Sequence, residues 1–304
     1  MFVRFFLFLL YASIATKTTV ALPRMFVNFT FSDSPVDTST GNRTDREYSL
    51  DSSEFDEHNI DKIYGGSYAA VGQFPFMAVV HQLNQDRSYM SCGGTILSKR
   101  WVLTAAHCVY KSHIFLVAFG VVDKSAFRYD YIGKKGVTMI VNQRAIYPRL
   151  RYKFDQYDIA LLYMPKDIPF DDNIQPIRLA GASYTRKSFV GQTGHIYGWG
   201  QARQNGHAIK KLKYGSVKII SNAKCHVWWT IDGTHICTDS STENDVCRGD
   251  SGAPLVVLES DDEPVQVGIV SYSDGQCPSS RPSVFTRVSA YHIWIKKVTG
   301  ISYK

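Results

Sequence analysis

The 304-residue sequence has no Cys-x-x-Cys pair and no spaced histidine cluster, so the usual sequence patterns of a tetrahedral metal site are missing. It also lacks any apolar run of the roughly 20 residues that a membrane-spanning helix needs. The longest run, from Phe5 to Ile14, covers ten residues. Charged residues make up only 20%, against 44% hydrophobic, which excludes the highly charged, apolar-poor class of disordered chains. Gly (22) and Pro (11) are too few for a collagen-like or linker-like chain. No internal repeat and no low-complexity tract follows residue 62.

The first 62 residues divide in two. Residues 1–21 read as a secretory signal: Arg4 gives a positive start, Phe5–Ile14 the apolar stretch, and small residues follow, with cleavage expected after Ala15 or Ala21. Export implies an oxidising environment, in which the six cysteines can form three disulfides. Residues 22–62 carry four basic and nine acidic residues and no cysteine, a net charge of −5. So little apolar surface cannot offset the entropy of ordering, which predicts a flexible acidic leader. Asn28-Phe29-Thr30 and Asn42-Arg43-Thr44 are N-glycosylation acceptors within it. Residues 63–304 carry 28 basic and 18 acidic residues, so an acidic leader precedes a basic body.

From Ile63 onward, short apolar runs alternate with turn residues: Phe76–Val80, Gly94–Leu97, Trp101–Leu103, Ile114–Phe119, Ile159–Tyr163, Pro254–Leu258 and Val265–Tyr272. Many short β-rich runs at modest spacing predict an all-β barrel or sandwich. One helix is expected at the end. Within Ser289–Val298 and its neighbour Val288, the apolar residues Val288, Tyr291, Ile295 and Val298 recur at helical spacing, and Gly300 supplies a stop.

Three segments carry residues with chemical potential. Thr104-Ala105-Ala106-His107-Cys108 sets a histidine among small residues. Asp158-Ile159-Ala160-Leu161-Leu162 puts a carboxylate at the head of an apolar run. Gly249-Asp250-Ser251-Gly252 flanks a serine with glycines. Singly, each has an ordinary structural reading, since most histidines are structural and a Gly-Asp-Ser-Gly string is commonly a turn. In this order, within one exported β-rich body, they are specific.

These segments, with Ile63-Tyr64-Gly65-Gly66, Cys92-Gly93-Gly94-Thr95, Gly198-Trp199-Gly200 and the terminal Trp294-Ile295, closely resemble the chymotrypsin/trypsin family of serine endopeptidases, its arthropod members included. The resemblance spans about residues 63–300. It implies an all-β fold of two six-stranded antiparallel β-barrels with a C-terminal helix, the first barrel ending near residue 170. It implies a catalytic triad of His107, Asp158 and Ser251, with the backbone amides of Gly249 and Ser251 as the oxyanion hole. The residue types suit the chemistry. A serine hydroxyl needs a base to take its proton. An imidazole titrates near neutrality and can hand that proton on. A carboxylate on the other ring nitrogen fixes the tautomer and stabilises the imidazolium.

The resemblance also implies activation by cleavage at Lys62-Ile63, freeing an α-amino group that pairs with Asp250. It implies disulfides Cys92–Cys108, Cys225–Cys237 and Cys247–Cys277, from among the 15 connectivities that six cysteines allow. Asp245 falls at the base of the primary specificity pocket, with Ser271, Tyr272, Ser273 and Ser283 as further substrate-binding positions. A carboxylate there favours cleavage after Arg or Lys. Ser273 and Ser283, where glycine is usual, and Tyr272, where tryptophan is usual, leave a narrowed or chymotrypsin/elastase-like pocket as the alternative. Gly120–Gly133 has no glutamate, so no calcium site, and no other metal or cofactor, is expected. The implied partners are polypeptide substrates, a trypsin-like activating protease and protein protease inhibitors, for a monomer that binds neither nucleic acid nor membrane. Two other readings remain: a non-catalytic binding homologue, and a surface for polyanionic glycans at Lys210-Lys211-x-Lys213, Arg149-x-Arg151-x-Lys153 and Lys296-Lys297.

Overall fold

A computed structural model of the chain describes residues 65–83, 89–124, 137–150, 156–241 and 244–303. The proposed signal and leader, Lys62, Ile63, Asn28, Asn42, Arg151 and Lys153 lie outside the described residues. The described chain opens with a short strand, β1 (Ser67–Tyr68), and then builds two sheets in succession.

The first sheet uses β2 (Met77–Leu83), β3 (Tyr89–Ser98), β4 (Trp101–Thr104), β5 (Phe115–Phe119), β6 (Val137–Val141), β7 (Gln143–Ile146) and β8 (Ala160–Tyr163). Its order is β6-β5-β2-β3-β4-β8-β7, every pair antiparallel. The edge strands β6 and β7 are separated in the chain only by Asn142. One bent stretch of chain therefore supplies both edges, and the sheet curls towards a barrel with no β6–β7 pairing among the described residues. The resemblance implies six strands here, and the seventh comes from this bend, which counts one chain segment twice.

The second sheet uses β9 (Arg178–Leu179), β10 (Thr193–Gly198), β11 (Lys213–Ile220), β12 (His235–Thr238), β13 (Pro254–Leu258), β14 (Pro264–Tyr272) and β15 (Ser283–Arg287). Six of these run β11-β10-β13-β14-β15-β12, and β12 pairs back with β11, which closes a barrel. β1 adds to β11, and β9 lies parallel to β14. In β11 the residues alternate between buried and more exposed, the period-2 signature of a strand with one face on the core.

The core runs through both sheets. Phe115, Phe119, Leu103 and Leu161 of the first, and Leu255, Val267, Ile269 and Phe285 of the second, have no exposed side-chain surface. Three disulfides join Cys92 to Cys108, Cys225 to Cys237 and Cys247 to Cys277. After β15, a 3-10 turn at Val288–Tyr291 leads into the terminal helix α1 (His292–Thr299), so the expected helix begins three residues later than its periodicity suggests. Gly300, at φ 76°, ends it in the left-handed conformation glycine tolerates best. The rings of Tyr291 and Trp294 meet Tyr147 of the first half edge-on at 5.0 and 5.5 Å, so this terminal segment ties the two halves together.

Phe285 sits at the centre of the second barrel with no exposed surface. Phe285→Ala is expected to cost about 3–5 kcal/mol through lost burial and the cavity left behind, read as a lower midpoint in guanidinium unfolding.

Candidate active site

The site lies where the two sheets face each other. His107 stands in a single 3-10 turn, Ala106–Cys108, directly after β4. The Cys92–Cys108 disulfide ties that turn to β3, and buried Ala105 and Ala106 let it press against the sheet. Asp158 sits just before β8, the antiparallel partner of β4. Its Oδ1 accepts the His107 backbone N–H at 2.9 Å, and its Oδ2 lies 2.7 Å from His107 Nδ1. The two contacts together fix both the main chain and the ring of His107.

The preceding residue shapes that presentation. Tyr157 has φ 65°, unusual for a bulky side chain, and Ile159 N–H closes a tight turn onto the Tyr157 carbonyl at 2.8 Å, with Asp158 at its centre. The Tyr157 ring stacks on Tyr147 at 5.5 Å, so aromatic packing holds a backbone state that would otherwise be disfavoured. The sequence carries no signal for this turn.

The second sheet completes the surroundings of Asp158. Ser271, near the end of β14, donates its hydroxyl to Asp158 Oδ2 at 2.6 Å, and Thr286 of β15 donates to the Asp158 carbonyl at 2.9 Å. Asp158 is only 2% exposed, yet its side chain and carbonyl are fully supplied with donors. Burial pushes the His107 pKa down, but the charge of Asp158 and its hydrogen bond outweigh this and raise it above 6.5.

Ser251 lies in the Gly249–Gly252 turn before β13, half-buried and facing the same seam. Gly93 N–H of β3 donates to the Ser251 carbonyl at 2.8 Å, and the Gly93 carbonyl in turn accepts from Thr104 Oγ1 at 2.8 Å, three residues ahead of His107. Two hydrogen bonds thus register the serine turn against the histidine turn. Ser251 Oγ makes no hydrogen bond to His107 among the described residues, and in free enzymes this contact commonly tightens only with substrate. The turn's own backbone bonds use the amides of Asp250, Gly252 and Ala253. Gly249, at φ 102°, adopts a conformation closed to other side chains, and a Cβ there would press on Gly200 Cα at 3.1 Å.

Asp250 points away from this seam into the protein. It is 1% exposed, with Gly200 N–H donating to Oδ1 at 2.7 Å and Cys247 N–H to Oδ2 at 2.8 Å. The Gly198-Trp199-Gly200 segment makes the room: a Cβ at Gly198 would collide with Asp250 Oδ1, and one at Gly200 would lie 2.6 Å from Oδ2. Burial raises the Asp250 pKa to about 6. Sequence reading missed Lys124. Its Nζ donates to the Trp199 carbonyl at 3.2 Å, its charge acts on Asp250, and burial lowers its own pKa to about 8.

Asp245 lies two residues before Cys247 and is 1% exposed. Its Oδ1 accepts from Val246 N–H and Ser283 Oγ, each at 2.8 Å, and its Oδ2 from Ser279 N–H at 2.9 Å. Burial raises its pKa to about 6. Tyr272 meets Trp229 edge-on at 5.4 Å, Trp229 donates to the Pro282 carbonyl at 2.8 Å, and the Arg281 guanidinium lies over the Trp228 and Trp229 rings at 5.4 and 5.7 Å. The adjacent Trp228-Trp229 pair was the available sequence signal for this aromatic wall. Ser273 is half-buried on the loop after β14.

The nearest approach to a metal cluster among the described residues is Cys92, His107 and Cys108, whose two sulfurs are already joined to each other. Of the basic clusters, Lys210, Lys211, Arg149, Lys296 and Lys297 are exposed, but Lys213 is fully buried with its ammonium 4.3 Å from the Tyr68 ring centre. Lys213 is therefore withdrawn from any polyanion-binding surface.

A family model described as Trypsin matches residues 63–295. The chain belongs to the trypsin family. It is 33% identical to a collagenase of Hypoderma lineatum over 80% of this chain and 89% of that protein. It is 32% identical to the serine protease SP24D of Anopheles gambiae, over 77% of this chain and 80% of that one. A venom protease of Bombus pensylvanicus is 30% identical over 75% of this chain and 96% of its own length. The solved structure of HL collagenase superposes with a TM-score of 0.68 at 31% identity, covering 78% of this chain and 99% of that one. This trypsin-family chain is a serine-type endopeptidase that acts on polypeptides. Among the described residues no helix is long and apolar enough to cross a membrane.

The environment of His107 gives a measurable consequence. By NMR the imidazole is expected to titrate above 6.5, and Asp158→Asn to bring that pKa down, because it removes the negative charge that overcomes burial. An unchanged titration in the variant would contradict this placement.

Proposed function

We propose that this protease is a secreted zymogen that hydrolyses peptide bonds after basic residues, using His107, Asp158 and Ser251 as its triad. The observation that carries the reading is the two-point grip of Asp158 on His107, completed by Ser271 from the other sheet, opposite a serine turn registered to the same strands. In the reaction, Ser251 Oγ attacks the scissile carbonyl carbon while His107 Nε2 takes its proton. The amides of Gly249 and Ser251, which the turn leaves out of its own bonding, receive the oxyanion. His107 returns the proton to the departing amine, leaving an acyl-enzyme. Water, deprotonated by the same imidazole, then releases the acid and restores Ser251. Asp158 stabilises the imidazolium in both halves.

Residues 1–21 serve as the export signal and 22–62 as the leader, with Asn28 and Asn42 as glycosylation sites and Lys62-Ile63 as the bond cut by a trypsin-like activator. Asp250 supports this logic. A fully buried carboxylate with a raised pKa is costly to ionise, and the α-amino group freed at Ile63 would supply the missing charge. Asp245, buried at the other end of the same loop, supplies the negative charge that selects a basic side chain. Protein inhibitors would occupy the same site in the manner of substrates.

Three outcomes are expected. Ser251→Ala lowers kcat by at least about 10⁴-fold without loss of folding. Lys62→Gln remains inactive after treatment with trypsin-like proteases, whereas full activity in that variant would sink the zymogen reading. On matched peptide substrates the preference for Arg or Lys over Ala falls as pH drops through about 6, because Asp245 becomes neutral there and no longer attracts a cation. A selectivity that is flat from pH 5 to 8 would assign the preference to another group.

A further inference from the structure

The hydrogen bonding of Asp245 carries a consequence for which basic residue is accepted. An ionised carboxylate offers about four lone-pair sites, two on each oxygen. Oδ1 has both of its sites taken, by Val246 N–H and by Ser283 Oγ, each at 2.8 Å. Oδ2 accepts Ser279 N–H at 2.9 Å and keeps one site. Ser283 has no exposed surface and Asp245 has 1%, so no bulk water competes for these bonds. The carboxylate accepts only, so the hydroxyl proton of Ser283 is committed to Oδ1.

A guanidinium binds a carboxylate best as a fork, with one N–H on each oxygen. Asp245 cannot supply that, because Oδ1 is saturated. A lysine ammonium is a compact point charge with three donors that needs no paired acceptors. It fits the single free site on Oδ2. Relative to glycine, Ser283 also adds a Cβ and a hydroxyl beside Asp245, bulk that weighs more against the larger, planar guanidinium than against an ammonium. We propose that Ser283 makes this protease prefer lysine to arginine before the scissile bond, by occupying the Oδ1 site of Asp245. The proposal rests on the reading of Asp245 as the base of the specificity pocket.

The test uses the activated enzyme and two peptide amides that differ only in Lys or Arg before the scissile bond, with Phe, Leu and Ala analogues alongside. The wild type is expected to favour Lys in kcat/KM by about tenfold, the worth of one charge-assisted hydrogen bond at the low end. Ser283→Ala frees the Oδ1 site but keeps the Cβ, and should raise Arg turnover severalfold with little gain for Lys. Ser283→Gly removes both and should bring Arg level with Lys or above it. A turnover-free readout comes from calorimetry on Ser251→Ala, with and without Ser283→Ala, titrated with n-butylammonium and with benzamidine. Only benzamidine should tighten when Ser283 is replaced. If wild type and both Ser283 variants favour Arg to the same degree, the proposal is overturned while the basic pocket stands. If only the Phe, Leu or Ala substrates are cut, the basic pocket itself falls and the proposal with it.

Discussion

Asp158, Asp245 and Asp250 are 2%, 1% and 1% exposed, and an ionised carboxylate taken out of water costs several kcal/mol unless fixed donors replace its hydration. Much of the architecture around the site answers that demand. Asp158 is supplied by the His107 main chain and ring and by Ser271. Asp245 is supplied by Val246, Ser279 and Ser283. Asp250 is supplied by Gly200 and Cys247, with Lys124 adding charge. The donors differ in kind. Those of Asp158 include a titratable ring, which ties the carboxylate to proton transfer. Those of Asp245 and Asp250 are amides and one hydroxyl, which hold geometry but leave burial dominant, so both pKa values rise to about 6.

The difference bears on function. A carboxylate that is only partly compensated has affinity left over for a cation. In the proposed reading, that cation would arrive at Asp245 with the substrate and at Asp250 with the freed chain terminus, so the same physical deficit would drive recognition at one position and activation at the other. Lys124 reduces the deficit at Asp250 through its charge, with its Nζ held by the Trp199 carbonyl. The space for this arrangement comes from Gly198 and Gly200, whose missing side chains are what admit the Asp250 carboxylate.

The elements most legible in the sequence were continuous apolar runs buried along nearly their whole length. Pro254–Leu258 is β13 to the residue, and Trp101–Leu103 and Ile159–Tyr163 fall within one residue of β4 and β8. The strands that were not legible, Thr193–Gly198, Lys213–Ile220 and His235–Thr238, carry Gly, His, Lys or Thr on faces that tertiary packing buries. Lys213 is the extreme case: its charge argued for the surface, while the Tyr68 ring and the strand register place it inside. Of the candidate site residues, His107, Asp158, Ser251 and Asp245 were singled out because their local segments resemble a known family. Tyr157 and Lys124 were not, because one acts through a backbone angle and the other through a contact distant in sequence, and neither leaves a local pattern, while Trp229 was marked only by its pairing with Trp228.

Placing the site at the seam has a further consequence. Ser271 and Thr286 of the second sheet bond Asp158 of the first, Gly93 of the first bonds Ser251 of the second, and Thr95 Oγ1 donates to Gln266 Oε1 across the same boundary at 2.7 Å. These bonds are buried or half-buried, so they are not exchanged for water at little cost. Several of the contacts that dock one half on the other are therefore also contacts to Asp158 and to the Ser251 turn. The buried apolar cluster is continuous across both sheets, so a loosened seam would disturb core packing as well as the orientation of His107. Activity should consequently report the docking of the halves more sensitively than secondary structure does, because a displacement of about 1 Å at reacting groups already costs rate steeply.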